Sequence, residues 1–166
     1  MLGLVCSYLT QGIALATQGL LADNVAANAE AVAAGGGRAV AAPLRWGCAA
    51  HAAALQPPGG APYDVLLAAD VVYRRELFAP LLASLRALAA PRTQLLLAHL
   101  KRWGSVERDF WRDLARAWTP KQELLIAPPA PGQARPVRVF SCHLRDGGGA
   151  NAAAADDAAC APIHAA

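Results

Sequence analysis

Two apolar patterns alternate in the middle of the chain. Residues 63–69 and 93–100 are nearly continuous runs of Val, Leu and Ala, which is typical of strands buried on both faces of a parallel sheet. Between them, leucines recur at helical spacing over residues 76–89, and Pro91 follows the last of them. Because strands that alternate with helices form parallel sheets, this order predicts an α/β fold.

The same alternation extends to both sides of this unit. Upstream, the pattern predicts a short helix at 3–9, a strand at 13–17, a helix at 19–33 that stops at three glycines, and a strand at 38–46. Downstream, it predicts a helix at 106–118, a strand at 122–127 and an antiparallel partner strand at 136–144. The Pro- and Gly-rich stretches 56–62 and 128–136 are predicted to be surface loops.

Composition limits the organisation of the chain. Of the 166 residues, 55% are hydrophobic and 16% are charged, which favours one folded domain, assigned here to residues 1–145. Residues 146–166 are too rich in Ala and Gly to form a core and are predicted to be a disordered tail. A net charge of +3 is too small to indicate nucleic-acid binding. No apolar run is long enough to span a membrane and the start lacks the basic region of a signal peptide, so we expect a cytoplasmic or nuclear protein. We also expect a monomer.

The four cysteines show no metal-binding pattern. Cys6, Cys48, Cys142 and Cys160 lack CxxC spacing and a nearby pair of histidines. The sequence therefore predicts neither a zinc site nor a disulfide framework, and we expect reduced, buried thiols.

Candidate chemistry follows the apolar run 63–69. Ligands of open α/β sheets bind beyond the carboxyl ends of the strands, where Asp70 and Tyr73 stand. Taken alone, this pair is equally consistent with a helix-capping Asp and a packing Tyr. His99 ends the next predicted strand and could face the same edge, although a structural role is the more common one. Arg74 and Arg75 could attract an acidic protein or simply be solvated at a helix start.

Three short motifs carry a family resemblance. They are Asn24-Val25-Ala26-Ala27-Asn28, Leu44-Arg45-Trp46-Gly47 and Ala69-Asp70-Val71-Val72-Tyr73. Together with the order of elements from about residue 3 to 144, they resemble the DxxY-type seven-β-strand protein-lysine methyltransferases, which are class I, S-adenosylmethionine-dependent enzymes. The resemblance implies a Rossmann-like seven-strand methyltransferase sheet, S-adenosylmethionine as cofactor, no metal, and a protein substrate that presents a lysine.

The resemblance also assigns roles to six residues. Trp46 would form a wall of the adenosine pocket, and the small Ala69 would allow the cofactor to approach closely. Gly3 would belong to the cofactor-binding glycine-rich turn, and Gln18 is the nearest candidate for the ribose hydroxyls. Asp70 and Tyr73 would hold and orient the lysine.

The sequence departs from the family pattern at its start. The first strand and most of the glycine-rich turn are not recognisable, so an N-terminally truncated sheet is expected. Gln18 stands where the family has an acidic residue, which removes a charge-assisted hydrogen bond. Three functions therefore remain open: transfer of a methyl group to a protein lysine, a truncated fragment or pseudoenzyme that only binds partners, and methylation of a small molecule.

Overall fold

The computed structural model describes residues 3–6, 14–57, 59, 63–101, 104–127 and 135–145. The predicted tail at 146–166 lies outside these residues, as do parts of the two predicted loops. The elements are, in order, β1 Gly3–Cys6, α1 Ala14–Ala27, α2 Ala29–Ala34, β2 Arg38–Ala41, α3 Ala49–Ala54, β3 Val65–Ala69, α4 Phe78–Leu88, β4 Gln94–Leu100, α5 Gly104–Leu114, β5 Trp118–Ile126 and β6 Val137–Leu144. A 3₁₀ turn, Arg75–Leu77, leads into α4. The predicted α/β fold class is confirmed.

Four strands form one sheet in the order β3-β4-β6-β5. β3 pairs in parallel with β4, from Val65 opposite Gln94 to Ala69 opposite Ala98. β6 runs antiparallel to both of its neighbours, as predicted for the closing hairpin. Consequently β3, β4 and β5 all end at the same edge of the sheet, which we call the C-terminal edge.

The first element differs from its prediction. Gly3–Cys6 is a strand that pairs in parallel with β2 in a separate two-stranded sheet, with Gly3 opposite Arg38. The predicted helix at 3–9 is therefore wrong for residues 3–6, and residues 7–9 lie outside the described ones. Pairing with β2 satisfies backbone groups that four residues could not satisfy as an isolated helical turn.

Helix α1 replaces the strand predicted at 13–17. Residues 14–17 are helical, and Ile13 lies outside the described part of the chain. Alanine has the highest helix propensity, so an Ala-rich segment favours the helix over a short strand. Asn28 separates α1 from α2, and its side-chain amide donates to the carbonyl oxygen of Asn24 at 2.7 Å. Gly36, with φ of +72°, lies just beyond α2, in agreement with the predicted glycine stop.

Helix α3 was not predicted. The segment Ala49–Ala54 contains no apolar periodicity, and its N-cap is Cys48, whose sulfur accepts the N–H of His51 at 3.4 Å. Cys48 is disulfide-bonded, so the expectation of reduced thiols is wrong for this residue. Disulfide formation depends on the distance between two cysteines in the fold, which sequence spacing does not give. Cys142 is a free, fully buried thiol.

One face of the four-stranded sheet carries the main core. Leucines and phenylalanines of α4 and α5 pack there against alternate residues of the strands; the buried set is Val72, Phe78, Leu81, Leu82, Leu85, Leu95, Leu97, Phe110, Leu114, Ala117, Trp118, Phe140, Cys142 and Leu144. The predicted helix at 106–118 is wrong at its end, because Trp118 begins β5 rather than ending α5. Trp118 is fully buried, and an aromatic side chain at a half-buried sheet position stabilises a strand.

Residues on the opposite face of the sheet are more open. Val65 and Leu67 of β3 and Leu124 and Ile126 of β5 are exposed. Within the described residues, no helix is both long enough and apolar enough to cross a membrane.

Candidate active site

Asp70 is the first residue beyond β3, at the C-terminal edge. Its backbone has φ of +53°, and it is the non-glycine residue with positive φ in the described part of the chain. Its N–H donates to the carbonyl oxygen of Ala98 on β4, at 3.1 Å. The left-handed conformation turns the chain sharply at the strand end and is uncommon for residues with a Cβ, although Asp tolerates it better than most. Such backbone strain is concentrated at functional sites.

Tyr73 follows Asp70 on an irregular segment that precedes the 3₁₀ turn. Val72, between them, is 3% exposed and belongs to the main core. It therefore anchors the segment, while Asp70 stays exposed and Tyr73 is half-buried. Both predicted catalytic residues thus lie on the segment that follows β3, outside the buried main core.

Trp46 lies on the loop after β2, where it is half-buried and packs against both hydrophobic clusters of the protein. The next residue, Gly47, has φ of +81°. Its N–H donates to Ser84 Oγ on α4 at 2.8 Å, and a Cβ at this position would meet Pro80 Cβ at 3.2 Å. Close approach to α4 therefore requires glycine here and fixes the backbone next to Trp46.

Ser84 was not identified from the sequence. It is 4% exposed, on a helix whose other buried residues are apolar. A serine placed among leucines on the buried side of a predicted helix is the signal that could have pointed to it, because buried hydroxyl groups are normally hydrogen-bonded.

Of the six predicted site residues, three lie at the C-terminal edge, Trp46 lies on the loop after β2, and Gly3 and Gln18 lie in β1 and α1. Ala69 ends β3 opposite Ala98 and is exposed, so it lies beside Asp70 at the C-terminal edge, with Tyr73 three residues further on. Gly3 lies in β1 of the two-stranded sheet. Gln18 lies within α1 rather than at the end of a strand, where the ribose role had placed it. Their cofactor roles stay predictions.

His99 has a structural environment. It is 2% exposed, and its Nε2 atom lies 3.3 Å from Glu107 Oε2. Its ring also makes an edge contact with Trp111 at 5.7 Å between centroids. This contact and the full burial of Trp118 show that both tryptophans contribute to packing.

The two arginines near Tyr73 both form ion pairs. Arg74 pairs with Glu76, and Arg75 Nη2 lies 2.7 Å from Asp109 Oδ2 on α5. Their charges are therefore partly neutralised by neighbouring carboxylates. No group of His, Cys, Asp and Glu side chains within the described residues could hold a metal ion.

The sequence was compared with models of known protein families. The model described as lysine methyltransferase matches residues 8–117, which is more than half of the chain and includes every motif that surrounds Asp70 and Trp46. The chain belongs to the lysine methyltransferase family. Membership implies S-adenosylmethionine as the methyl donor. Among curated proteins, none matches the sequence.

Three solved structures, two of them described as methyltransferases, are partly similar to this chain. The N-methyltransferase NodS from Bradyrhizobium japonicum WM9, in complex with S-adenosyl-L-homocysteine, has a TM-score of 0.45 at 14% identity, covering 64% of this chain and 55% of its own. The methyltransferase CalO6 has a TM-score of 0.45 at 17% identity, covering 86% and 57%. LaPhzM has a TM-score of 0.43 at 12% identity, covering 85% and 50%. The chain thus spans about half the length of these structures.

Two residues of the candidate site, Trp46 and Ala69, are the ones predicted to contact the cofactor. Trp46 is half-buried against both hydrophobic clusters, and an indole is the kind of flat surface on which a purine stacks. Ala69 is exposed at the end of β3 with a single methyl group, so it leaves room for a ligand at the C-terminal edge.

Proposed function

We propose that this protein transfers a methyl group from S-adenosylmethionine to the side-chain amine of a lysine in a protein substrate. The observation that carries the proposal is Asp70, held in a left-handed conformation beyond β3 and exposed at the C-terminal edge. Backbone strain of this kind is concentrated at functional sites, and glycine would adopt the same conformation at lower cost.

The chemistry assigns separate tasks to the two side chains. The Asp70 carboxylate attracts the incoming lysine ammonium, and Tyr73 restricts the direction of the amine. The nitrogen must be neutral to react; because a carboxylate stabilises the ammonium, the proton leaves to solvent before transfer. The amine lone pair then forms the new N–C bond while the S–C bond of the sulfonium breaks. Orientation of the amine is the main contribution of the protein.

A binding role without catalysis is the second candidate. It is favoured by Gln18, which lies inside α1 and carries no charge for the ribose hydroxyls, and by Gly3, whose backbone is engaged with β2. Neither residue then contributes to a cofactor site. Such a protein would use the same fold to bind a partner.

Calorimetry separates these candidates. The purified 166-residue chain, shown to be folded by circular dichroism, is titrated with S-adenosylmethionine and then incubated with radiolabelled cofactor and a cell extract. Saturable binding followed by label in methyl-lysine, lost in Asp70→Asn, supports the proposal. A folded chain that does not bind the cofactor overturns it in favour of a non-catalytic role, and label confined to small molecules overturns the protein substrate.

A further inference from the structure

We infer that His51 and Ser84 are positioning residues for Trp46: their side chains hold the backbone on either side of it and thereby set the affinity for S-adenosylmethionine. The inference rests on the proposed function, in which Trp46 forms a wall of the adenosine pocket. Neither His51 nor Ser84 belongs to the motifs that carry the family resemblance.

Trp46 occupies a corner of a tight turn. The N–H of Cys48 donates to the carbonyl oxygen of Arg45 at 3.1 Å, so Trp46 and Gly47 are the central residues of a β-turn. Gly47 has φ of +81°, the conformation that a type II turn requires at its third residue. The turn leaves the N–H groups of Arg45 and Gly47 without a partner of its own, and a backbone donor needs one when it is removed from water.

Two side chains from different helices accept these N–H groups. The N–H of Arg45 donates to His51 Nδ1 on α3 at 3.0 Å. The N–H of Gly47 donates to Ser84 Oγ on α4 at 2.8 Å. Trp46 lies between the two bonded residues, so its backbone is restrained from both sides.

The two acceptors are themselves held in place. The N–H of His51 donates to Cys48 Sγ, the N-cap of α3, at 3.4 Å, and Ser84 is 4% exposed. Helices α3 and α4 pack together through Ala52 and Leu88, which belong to one buried cluster. The separation of the acceptors is therefore fixed by packing. A surface that is ordered before the ligand arrives binds more tightly, because less conformational entropy is lost on binding.

The chemistry of His51 makes its contribution testable. A backbone N–H can only donate, so Nδ1 is the unprotonated ring nitrogen and the proton is on Nε2. In asparagine, the amide oxygen is bonded to Cγ, as Nδ1 is in histidine. In glutamine, the amide is one carbon further along the side chain. Asparagine can therefore supply the acceptor at the same place, whereas glutamine supplies it elsewhere.

The variants are His51→Ala, His51→Asn, His51→Gln and Ser84→Ala in the full chain. The control is Ser141→Ala, which removes a half-buried hydroxyl on β6 that also accepts one hydrogen bond, from Gln94 Nε2 at 2.8 Å. Thermal unfolding confirms that each protein is folded at the temperature of measurement.

Two measurements are made on these proteins. Fluorine NMR of ligand-free protein labelled with 5-fluorotryptophan reports the environment of Trp46. The chain contains four tryptophans, and Trp46→Phe assigns the resonance by removing it. Calorimetric titration then gives the affinity for S-adenosylmethionine.

We expect His51→Ala, His51→Gln and Ser84→Ala to shift or broaden the Trp46 resonance and to bind S-adenosylmethionine at least five-fold more weakly than the unaltered chain. His51→Asn and Ser141→Ala should stay within two-fold of the unaltered affinity. Rescue by asparagine but not by glutamine distinguishes the acceptor at Nδ1 from general packing of the side chain.

An unaltered Trp46 resonance in His51→Ala and Ser84→Ala overturns the inference. So does equal cofactor affinity in these variants and the unaltered chain, and so does equal weakening in His51→Asn and His51→Gln. If the folded, unaltered chain does not bind S-adenosylmethionine, the proposed function is overturned together with the effect on affinity. The resonances of the ligand-free proteins then still decide whether His51 and Ser84 position Trp46.

Discussion

The backbone N–H of Asp70 donates a hydrogen bond to the carbonyl oxygen of Ala98, 3.1 Å away. This bond continues the parallel pairing of β3 and β4 one residue beyond the last paired residue, Ala69. It therefore holds Asp70 at φ of +53°, a conformation in which a side chain beyond glycine costs on the order of 1 kcal/mol. The backbone conformation at this position favours glycine, whereas the proposed function requires the Asp70 carboxylate.

Replacement of Asp70 by glycine should separate the effect on stability from the effect on methyl transfer. We expect Asp70→Gly to raise the free energy of unfolding by about 1 kcal/mol, because glycine adopts positive φ without strain, and to abolish methyl transfer. Urea unfolding and radiolabel transfer measure the two effects. Asp70→Asn, which tolerates the same backbone and lacks the charge, is the control and should lose transfer without gaining stability. An Asp70→Gly protein that is less stable than the unaltered chain would show that the side chain supports the fold.

Trp46 and Asp70 should affect different ligands. Trp46→Ala is expected to weaken S-adenosylmethionine binding at least ten-fold through loss of the flat surface, whereas Asp70→Ala should leave it within a few-fold. Calorimetric titration of both variants provides the comparison. Because Trp46 also packs against the core, Trp46→Phe serves as the control that retains most of the packing. If both residues affected cofactor affinity equally, the division between cofactor side and substrate side would be wrong.

Two glycines with the same backbone conformation provide a matched pair. Gly47 and Gly59 both have φ of +81°. A Cβ at Gly47 would lie 3.2 Å from Pro80 Cβ, whereas one at Gly59 would meet no atom of the described residues within 4 Å. Gly59→Ala should therefore cost about 1 kcal/mol from the backbone alone, and Gly47→Ala about 1 kcal/mol more from crowding against α4. Thermal or urea unfolding of the two variants checks the difference, and equal losses would mean that Pro80 moves without cost.

The buried pair of His99 and Glu107 should behave as a unit. The two side chains are 2% and 6% exposed, with 3.3 Å between Nε2 and Oε2. Either His99→Leu or Glu107→Leu alone should destabilise the protein by about 3 kcal/mol, because the remaining polar group stays buried without this partner. The loss in the double variant should be smaller than the sum of the two single losses by about 1 to 3 kcal/mol, which is the coupling measured in a double-mutant cycle. Strictly additive losses would show that the pair does not interact.

We predict that the buried thiol of Cys142 lowers the stability of the protein at alkaline pH. Burial raises the pKa of its thiol from 9.0 to about 11, so the unfolded chain releases the proton at lower pH than the folded one. The unfolded state then binds fewer protons between pH 9 and 11, and the free energy of unfolding falls as pH rises through this range. Urea midpoints at pH 8, 9 and 10, compared with those of Cys142→Ala, measure the effect. An equally steep fall in the alanine variant would assign it to other groups.

Local pattern was sufficient for the elements that surround the candidate site. The apolar run before Asp70, the leucine spacing of α4 and the closing hairpin are all present in the structure, because strands and helices that face one core must repeat apolar residues at fixed spacing. The same pattern was insufficient near the N-terminus. There, the small residues show no apolar periodicity. Pairing with β2 makes residues 3–6 a strand, and the high alanine content favours a helix over residues 14–17.

The sequence by itself determined the α/β order, the motifs around Trp46 and Asp70, and the family to which they belong. Only the tertiary structure decided that Asp70 is strained, that Ser84 holds Gly47, that Cys48 forms a disulfide and that β3, β4 and β5 end at the same edge of the sheet. Each of these depends on two segments distant in sequence meeting at a particular distance. Residue type and spacing specify what a segment can form, whereas its partner is set by packing of the whole chain.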